Sequence, residues 1–197
     1  KGTTPLLRPT YMQRNGYIIG TGVDLSGADL SGQNLANAYF TNANITNAVF
    51  TNGILTAVRS GGTMRYNAAT IAKLPAKYTI RGAYIVGPGV DLSGDDLTGV
   101  DLSGAFLSGA NLTNAVFTNT RSGNIEMLST QPIAFSLDPA YYGGSQYGYV
   151  YLNGYIVGPQ VDLSGSDFSG VNIASVDLSG ANLTNSRLNN IQSSNIA

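Results

Sequence analysis

The chain has 197 residues, of which 11% are charged and 25 are glycine, against roughly 25% charged residues in a typical soluble domain. Ten Lys and Arg residues against eleven Asp and Glu residues give a net charge of -1, which argues against a basic nucleic-acid-binding protein and against a strongly acidic surface. The absence of Cys excludes disulfides and thiolate chemistry, and the absence of His removes the commonest metal ligand and general base. No apolar run approaches the roughly 20 residues of a membrane-spanning helix, so we predict no membrane span.

Residues 1–22 are predicted to be a lead-in segment that ends in a β-hairpin. Its run NGYIIGTG returns later in the chain as GAYIVGPG and NGYIVGPQ, and short β-prone runs such as YVYL precede it. The Asn-Gly pair is a strong signal for a two-residue hairpin turn. We therefore expect two inserts that end in the same hairpin, residues 58–89 and the Tyr-rich residues 120–160.

A five-residue register runs through three modules, the first of which reads VDLSG, ADLSG, QNLAN, AYFTN, ANITN, AVFTN. The central residue of every five is Leu, Ile or Phe. A period of five fits neither a helix nor a flat strand, so the chain must turn at each repeat, and Gly or Asn at the fifth place tolerates turn dihedrals. Asp or Asn before the central residue can bond nearby backbone. The modules are predicted at residues 23–57, 90–119 and 161–197.

These fives resemble the pentapeptide-repeat family, whose pattern is a small residue, Asp or Asn, Leu, Ser or Thr, and then Gly or Asn. The resemblance covers about ninety of the 197 residues. It implies an all-β fold of right-handed quadrilateral β-helix (solenoid) modules with β-hairpin inserts, in which four fives form one coil and the central residue points inward. The central residues are therefore predicted to form the structural core: Leu25, Leu30, Leu35, Phe40, Ile45, Phe50, Leu92, Leu97, Leu102, Leu107, Leu112, Phe117, Leu163, Phe168, Ile173, Leu178, Leu183 and Leu188.

A module of thirty residues makes only one and a half coils, which is too thin to stand alone. Ordering thirty backbone residues costs roughly 30–60 kcal/mol, whereas six buried Leu-sized side chains return on the order of 9–18 kcal/mol. We therefore expect the modules to stack on each other, on the inserts or on neighbouring copies. The chain begins and stops without obvious polar caps, which favours contact with further copies.

Charge and aromatic residues are unevenly placed along the chain. Nine of the eleven acidic residues lie in the repeats, and eleven of the twelve Tyr residues lie outside them. One interpretation is that basic, Tyr-rich segments pack against acidic repeat faces, within or between chains. The other is that Asp is only the repeat consensus and that the basic residues form a solvated loop. The candidate interface residues are Tyr17, Tyr84, Tyr155, Tyr141, Tyr142, Tyr147, Tyr149, Tyr151, Arg59, Arg65, Lys73 and Lys77.

No catalytic constellation is found in the sequence. Its Ser residues have no His to activate them, and nothing places Lys73 or Lys77 beside one. Asp pairs five residues apart lack the DxDxDG pattern of a calcium loop, and GPGVDLSG lacks the Lys of a phosphate-binding loop. We predict a protein that is not an enzyme, with no metal site and no cofactor.

Two classes of function remain after these exclusions. The first is a structural subunit of an extracellular or virion-associated fibre or filament, whose main partner is a further copy of the chain in a head-to-tail homo-oligomer. A glycan-binding tail-fibre or adhesin segment, with Tyr141 to Tyr151 as stacking platforms for a cell-surface glycan, is a variant of this reading. The second follows from the resemblance, because some members of the family are similar in shape and charge to duplex DNA and bind type II topoisomerases. The broken repeats and the net charge of -1 argue against that role, and we predict no nucleic-acid partner.

Overall fold

The computed structural model describes residues 10–126, 149–174 and 176–193. The chain divides into two compact units, Lys1–Asp91 and Leu92–Ala197. Each unit contains its own coils and hairpins, and each is described by itself.

The coils are held together by parallel backbone pairing between residues 20 positions apart. Asp24 pairs with Asn44 in the first unit, and Asp96 pairs with Val116 in the second. The Leu25 N–H, for example, donates to the carbonyl oxygen of Asn44 at 2.7 Å. Because 20 residues contain four turns, each coil has the quadrilateral cross-section that the resemblance of its repeats implies.

Each five ends in a tight turn that the fifth residue makes possible. The Ala28 N–H donates to the Leu25 carbonyl at 3.0 Å, and Gly27 between them has a φ of 70°. Asn37, with a φ of 63°, does the same in a later five. A positive φ at the third residue of the turn defines type II geometry and explains why the fifth place holds Gly or Asn.

The predicted core residues are buried in all but the last coil. All six in each of the first two modules are at most 2% exposed, and Leu163, Phe168 and Ile173 are at most 3% exposed. In contrast, Leu178 and Leu183 are half-buried and Leu188 is 38% exposed. The expectation that these three belong to the buried core is therefore wrong, because within the described residues their coil has a neighbouring coil on one side only.

The first unit contains two hairpins and one short helix besides its coils. The elements are β1 (Met12–Arg14), β2 (Tyr17–Ile19), α1 (Ala68–Ala72), β3 (Thr79–Arg81) and β4 (Tyr84–Val86), with β1 antiparallel to β2 and β3 antiparallel to β4.

The coils of the first unit continue beyond residue 57, where the first module was expected to end. Tyr39 pairs with Arg59, and Asn44 pairs with Arg65. The helix α1, which was not predicted, follows directly. Asn67 caps it in a capping box with Thr70, so a local side-chain signal determines where this helix begins.

The described residues of the second unit contain one hairpin, β5 (Val150–Leu152) antiparallel to β6 (Tyr155–Val157). Its coils also continue beyond the expected boundary at residue 119, because Asp101 pairs with Arg121 and Phe106 pairs with Glu126.

All three hairpins turn through two residues with positive φ, the signature of a type I′ turn. In the first and third hairpins these are Asn-Gly pairs, at residues 15–16 and 153–154. In the second they are Gly82, with a φ of 52°, and Ala83, with a φ of 67°. A Cβ is disfavoured in this left-handed region, so Ala83 occupies a strained backbone position.

We expect Ala83→Gly to stabilise the protein by about 1 kcal/mol, because glycine adopts this backbone conformation without strain. Ala36 is the matched control, since it lies in a five of the same unit without a positive φ. Ala36→Gly should destabilise the protein by about 0.5–1 kcal/mol. Urea unfolding of the two variants measures both effects, and destabilisation by Ala83→Gly would contradict the assigned turn.

Candidate interaction site at the hairpin junctions

A junction joins the second and third modules within the second unit. The Asp162 N–H donates to the Thr120 carbonyl at 3.0 Å, and the Asn119 N–H donates to the Gln160 carbonyl at 2.7 Å. Arg121 and Asp162 form a parallel pair of the same kind as those within a module. The third module therefore stacks on the second as a continuation of its β-helix.

The hairpin β5–β6 is docked beside this junction, on the segment Arg121-Ser122-Gly123. The Ile156 N–H donates to Ser122 Oγ at 3.0 Å, and Tyr155 lies against Gly123, where a Cβ would come within 3.0 Å of its ring. On its other side the hairpin reaches the third module, where Asn153 Nδ2 donates to the Asp167 carbonyl at 3.0 Å. The hairpin thus links the end of one module to the start of the next.

The first unit repeats the same arrangement with the hairpin β3–β4. The Ile85 N–H donates to Ser60 Oγ at 2.7 Å, and a Cβ on Gly61 would overlap the ring of Tyr84. The Asp91 N–H donates to the Val58 carbonyl at 3.0 Å. An Arg-Ser-Gly segment is therefore the receptor of a hairpin in both units.

An ion pair accompanies both junctions. Arg59 Nη1 lies 2.7 Å from Asp91 Oδ2, and Arg121 Nε lies 3.8 Å from Asp162 Oδ2. The pKa of Asp162 lies below its ordinary value, mainly because Ser164 donates side-chain and backbone hydrogen bonds to the carboxylate, with a smaller contribution from the Arg121 charge. Each pair is partly exposed, so it contributes more to register than to stability.

The aspartates at the second place of the fives act on the local backbone. Asp29 Oδ1 accepts the Ser31 N–H at 3.0 Å, and Asp167 Oδ1 accepts the Ser169 N–H at 2.9 Å. Hydrogen bonds from Ser31 lower the pKa of Asp29, and hydrogen bonds from Ser169 lower the pKa of Asp167. Asn residues at the second place accept the same backbone hydrogen bond without carrying a charge. Asn34 Oδ1, for example, accepts the Ala36 N–H at 3.0 Å.

The hairpin β1–β2 is docked on the module that follows it. Asn15 Nδ2 donates to the Asp29 carbonyl at 2.9 Å, the counterpart of the bond between Asn153 and Asp167. Ile18 is 50% exposed, whereas the corresponding Ile85 and Ile156 are fully buried.

The Tyr residues predicted as interface divide into three groups. Tyr17 is 36% exposed, and Tyr84 and Tyr155 are half-buried at the junctions. Tyr149 is 7% exposed with its ring centroid 4.8 Å from that of Phe117, and the Tyr151 hydroxyl donates to the Ile125 carbonyl at 3.0 Å. Both therefore pack within the second unit. The remaining three lie outside the described residues: Tyr141, Tyr142 and Tyr147.

The predicted basic residues all belong to the first unit. Arg59 forms the ion pair with Asp91. Arg65 and Lys73 are exposed, and their charges contribute to the lowered pKa values of Asp24 and Asp29 respectively, although hydrogen bonds from Ser26 and Ser31 have the larger effect. Lys77 is exposed. Arg59 thus packs on an acidic residue of the repeats, and the side chains of Arg65, Lys73 and Lys77 are exposed.

Sequence reasoning missed the residues that receive the hairpins. Ser60 and Ser122 are 3% and 6% exposed and stand at the central place of their fives, where the predicted repeats carry Leu, Ile or Phe. The signal was the recurrence of Arg-Ser-Gly at residues 59–61 and 121–123. Sequence reasoning also missed Tyr11 and Tyr78, which hold the segments just before the first and second modules. The Tyr11 hydroxyl donates to the Thr21 carbonyl at 3.0 Å, and the Tyr78 hydroxyl donates to the Pro88 carbonyl at 2.7 Å.

Within residues 10–126, 149–174 and 176–193, no group of three or more acidic side chains is placed to hold a metal ion. Among the same described residues, no helix is both long and apolar enough to cross a membrane.

Comparison with known proteins identifies one family. The family model described as pentapeptide repeats matches eight copies over residues 21–59, 89–121 and 160–190, slightly more than half of the chain. No curated protein matches the chain. Among solved structures, the chain is similar to HetL, a pentapeptide repeat protein involved in heterocyst differentiation regulation from the cyanobacterium Nostoc sp. strain PCC 7120. The identity is 22% and the TM-score is 0.22, with 87% of this chain and 58% of HetL covered. The chain thus spans less than two thirds of the length of HetL.

We expect Ser122→Ala to destabilise the second unit by about 1–3 kcal/mol, because the buried Ile156 N–H would lose its acceptor. Ser60→Ala should have a similar effect in the first unit, where Ser60 accepts the Ile85 N–H. The exposed Ser179 is the matched control, and Ser179→Ala should change stability by less than about 0.5 kcal/mol. Urea unfolding measures the three variants, and equal effects for all three would contradict the docking role.

The free energy of unfolding should decrease as the pH is lowered below about 4. The reason is that the pKa values of Asp24, Asp29 and Asp167 in the folded protein lie below the unfolded value near 3.8. The contribution is fully present above the unfolded pKa and is lost as the pH falls through the folded values. Asp29→Asn should make the dependence of the urea midpoint on pH shallower in this range. The reciprocal Asn34→Asp should make it steeper, and a change in the same direction for both would refute this origin.

Proposed function

Because the chain belongs to the pentapeptide-repeat family, we propose that it is a non-catalytic structural subunit of a fibre or filament that assembles by stacking of β-helical coils. One observation carries this proposal. The second and third modules are joined by coil stacking and hairpin docking, in which Thr120 accepts the Asp162 N–H and Ser122 accepts the Ile156 N–H. The chain thus already contains a joint that can be repeated between copies.

A joint of this kind between copies would be head-to-tail. A head-to-tail contact that does not close into a ring repeats from copy to copy and generates a filament.

The location that we propose is extracellular or on the surface of a virion. The support is compositional, because a chain with 11% charged residues suits a structural protein with little surface chemistry.

Two other functions have less support. A DNA-mimicking inhibitor of a type II topoisomerase needs a strongly negative surface, whereas the net charge is -1 and Arg59, Arg121 and Arg187 lie beside coil aspartates. A glycan-binding segment needs exposed Tyr platforms, whereas Tyr149 and Tyr151 of the second insert are engaged in packing.

Sedimentation velocity over a concentration series, with negative-stain electron microscopy of the same samples, tests the proposal. We expect a growing series of oligomers and filaments with a regular axial repeat built from coils about 4.8 Å apart. A single monomer or dimer boundary at every concentration, without polymers, would contradict the structural role. Inhibition of topoisomerase supercoiling or retention on a glycan array by such a species would then identify the alternative.

A further inference from the structure

We propose that copies of the chain associate through opposite charges, with the basic first unit of one copy binding the acidic second unit of another. This inference rests on the proposed function and specifies the interaction that would hold its subunits together. It is argued from the charge of each unit, from the exposure of the charged side chains and from their places in the coils.

The net charge of -1 conceals two units of opposite charge. Lys1–Asp91 contains eight Lys and Arg residues against three Asp residues, which gives +5. Leu92–Ala197 contains two Arg residues against eight Asp and Glu residues, which gives -6. No acidic residue lies between Asp29 and Asp91, and no basic residue lies between Arg81 and Arg121. The charges therefore form separate blocks along the chain.

Ion pairs within a unit cannot neutralise these charges. In the first unit, three acidic residues are too few for eight basic ones. In the second unit, Arg121 Nε lies 3.8 Å from Asp162 Oδ2 and Arg187 Nη1 lies 3.6 Å from Asp167 Oδ2. These two arginines are the only basic residues in the sequence of that unit, which has six further acidic residues. Each unit therefore keeps an excess charge that attracts a partner of the opposite sign.

Two exposed basic residues of the first unit hold equivalent places on consecutive sides of a coil. The Arg65 carbonyl accepts the Ile45 N–H at 2.8 Å, and the Lys73 carbonyl accepts the Phe50 N–H at 2.9 Å. Ile45 and Phe50 are the central residues of consecutive fives, so Arg65 and Lys73 are one side apart. Both side chains are exposed. The coil thus presents two cations, each next to the second place of a five in the coil before it.

Two exposed carboxylates of the second unit have the same arrangement. Asp96 and Asp101 hold the second place of consecutive fives, and both are exposed. Asp96 Oδ1 accepts the Thr98 N–H at 3.0 Å, and Asp101 Oδ1 accepts the Ser103 N–H at 2.9 Å. Because each pair of charges occupies second places on consecutive sides, the spacing of the two cations matches that of the two carboxylates. The long Arg and Lys side chains allow both ion pairs to form between the same two coils.

A second copy is the partner that the charge pattern favours. The charges of +5 and -6 nearly cancel, and the acidic unit is present at the same concentration as the basic one. Because the two units differ, the contact is head-to-tail, and each copy can bind one neighbour through its basic unit and another through its acidic unit. Ion pairs between exposed side chains are weak and are screened by salt, so we expect reversible, salt-dependent association.

The first test is sedimentation velocity of the wild-type chain at two salt concentrations. Raising NaCl from about 0.01 M to about 0.15 M shortens the screening length from about 30 Å to about 8 Å and should weaken association at least threefold. Association that is unchanged or strengthened by NaCl would contradict a charge-based contact.

The second test compares two matched pairs of substitutions at low salt. Asp96→Asn with Asp101→Asn makes the second unit less acidic and should weaken association by about tenfold. Asp24→Asn with Asp29→Asn changes the charge of the whole chain by the same amount but makes the first unit more basic, so it should strengthen association. If both pairs of substitutions weaken association equally, the segregation of charge plays no part and the proposal is wrong.

These substitutions preserve the turns, so that lost association is separated from lost folding. Asn makes the same bond as Asp at the second place, as Asn111 Oδ1 does by accepting the Thr113 N–H at 3.1 Å. Circular dichroism should therefore show folded protein for every variant.

The third test asks whether the named cations and carboxylates meet. Arg65→Gln with Lys73→Gln should weaken association as much as Asp96→Asn with Asp101→Asn does. The chain with all four substitutions should lose little more than either pair alone, because both pairs remove the same contacts. Losses that add in full would show that these residues do not face one another.

The results distinguish failure of this contact from failure of the proposed function. If the wild-type chain forms filaments that neither NaCl nor Asp96→Asn with Asp101→Asn weakens, the filament role stands and this contact is wrong. If association follows salt and charge as expected but stops at a dimer, the contact is correct and the filament role is wrong. If the wild-type chain stays monomeric at low salt at every concentration, both are overturned.

Discussion

The parallel backbone pairing between residues 20 positions apart is the constraint on which the rest of the structure depends. A coil can bond the next coil only if four turns return the chain to the same place with the same orientation. The type II turn at each fifth residue provides the return, as at Gly27 and Asn37. The Asp or Asn side chain at the second place of the five stabilises the bend. Asp29, for example, accepts the Ser31 N–H. The repeat is therefore a consequence of closing a square, and the central residues are buried because they point into the square and pack against one another there.

The hairpins show how this pairing survives an interruption. The side chains of Arg59 and Asp91 are in contact although the two residues are 32 positions apart in the sequence. That separation is not a multiple of five. Beside this pair, the Ser60 hydroxyl accepts the Ile85 N–H and so holds the hairpin that precedes Asp91. The same construction recurs around Ser122 and Ile156. A module end that carries this serine is thus a receptor for a hairpin, and the hairpin is the element that starts a new module.

The sequence predicts what depends on period and composition. The burial of residues such as Leu30 and Leu102 follows from the five-residue period, since inward direction is fixed by the turns on either side. The exposure of Leu188 does not follow, because burial in a last coil depends on a neighbour and not on the repeat. The docking serines Ser60 and Ser122 occupy the central place that Leu, Ile or Phe holds in the predicted repeats, so they fall outside the five-residue pattern from which the core was predicted. Tyr149 was expected at an interface because aromatic residues outside the repeats suggest contact surfaces, but its ring packs against Phe117 of its own unit.

Amide hydrogen exchange at the junction of the second and third modules tests most directly whether a hairpin restores coil pairing. The Asp162 N–H bonds to Thr120 across the junction, and the Asn182 N–H bonds to Val161 within the third module. If the junction is a true continuation of the β-helix, the two amides should be protected to within about tenfold of each other. Exchange of the Asp162 amide at the rate of an unprotected peptide, with Asn182 still protected, would show that the modules are separate and that the hairpin does not join them.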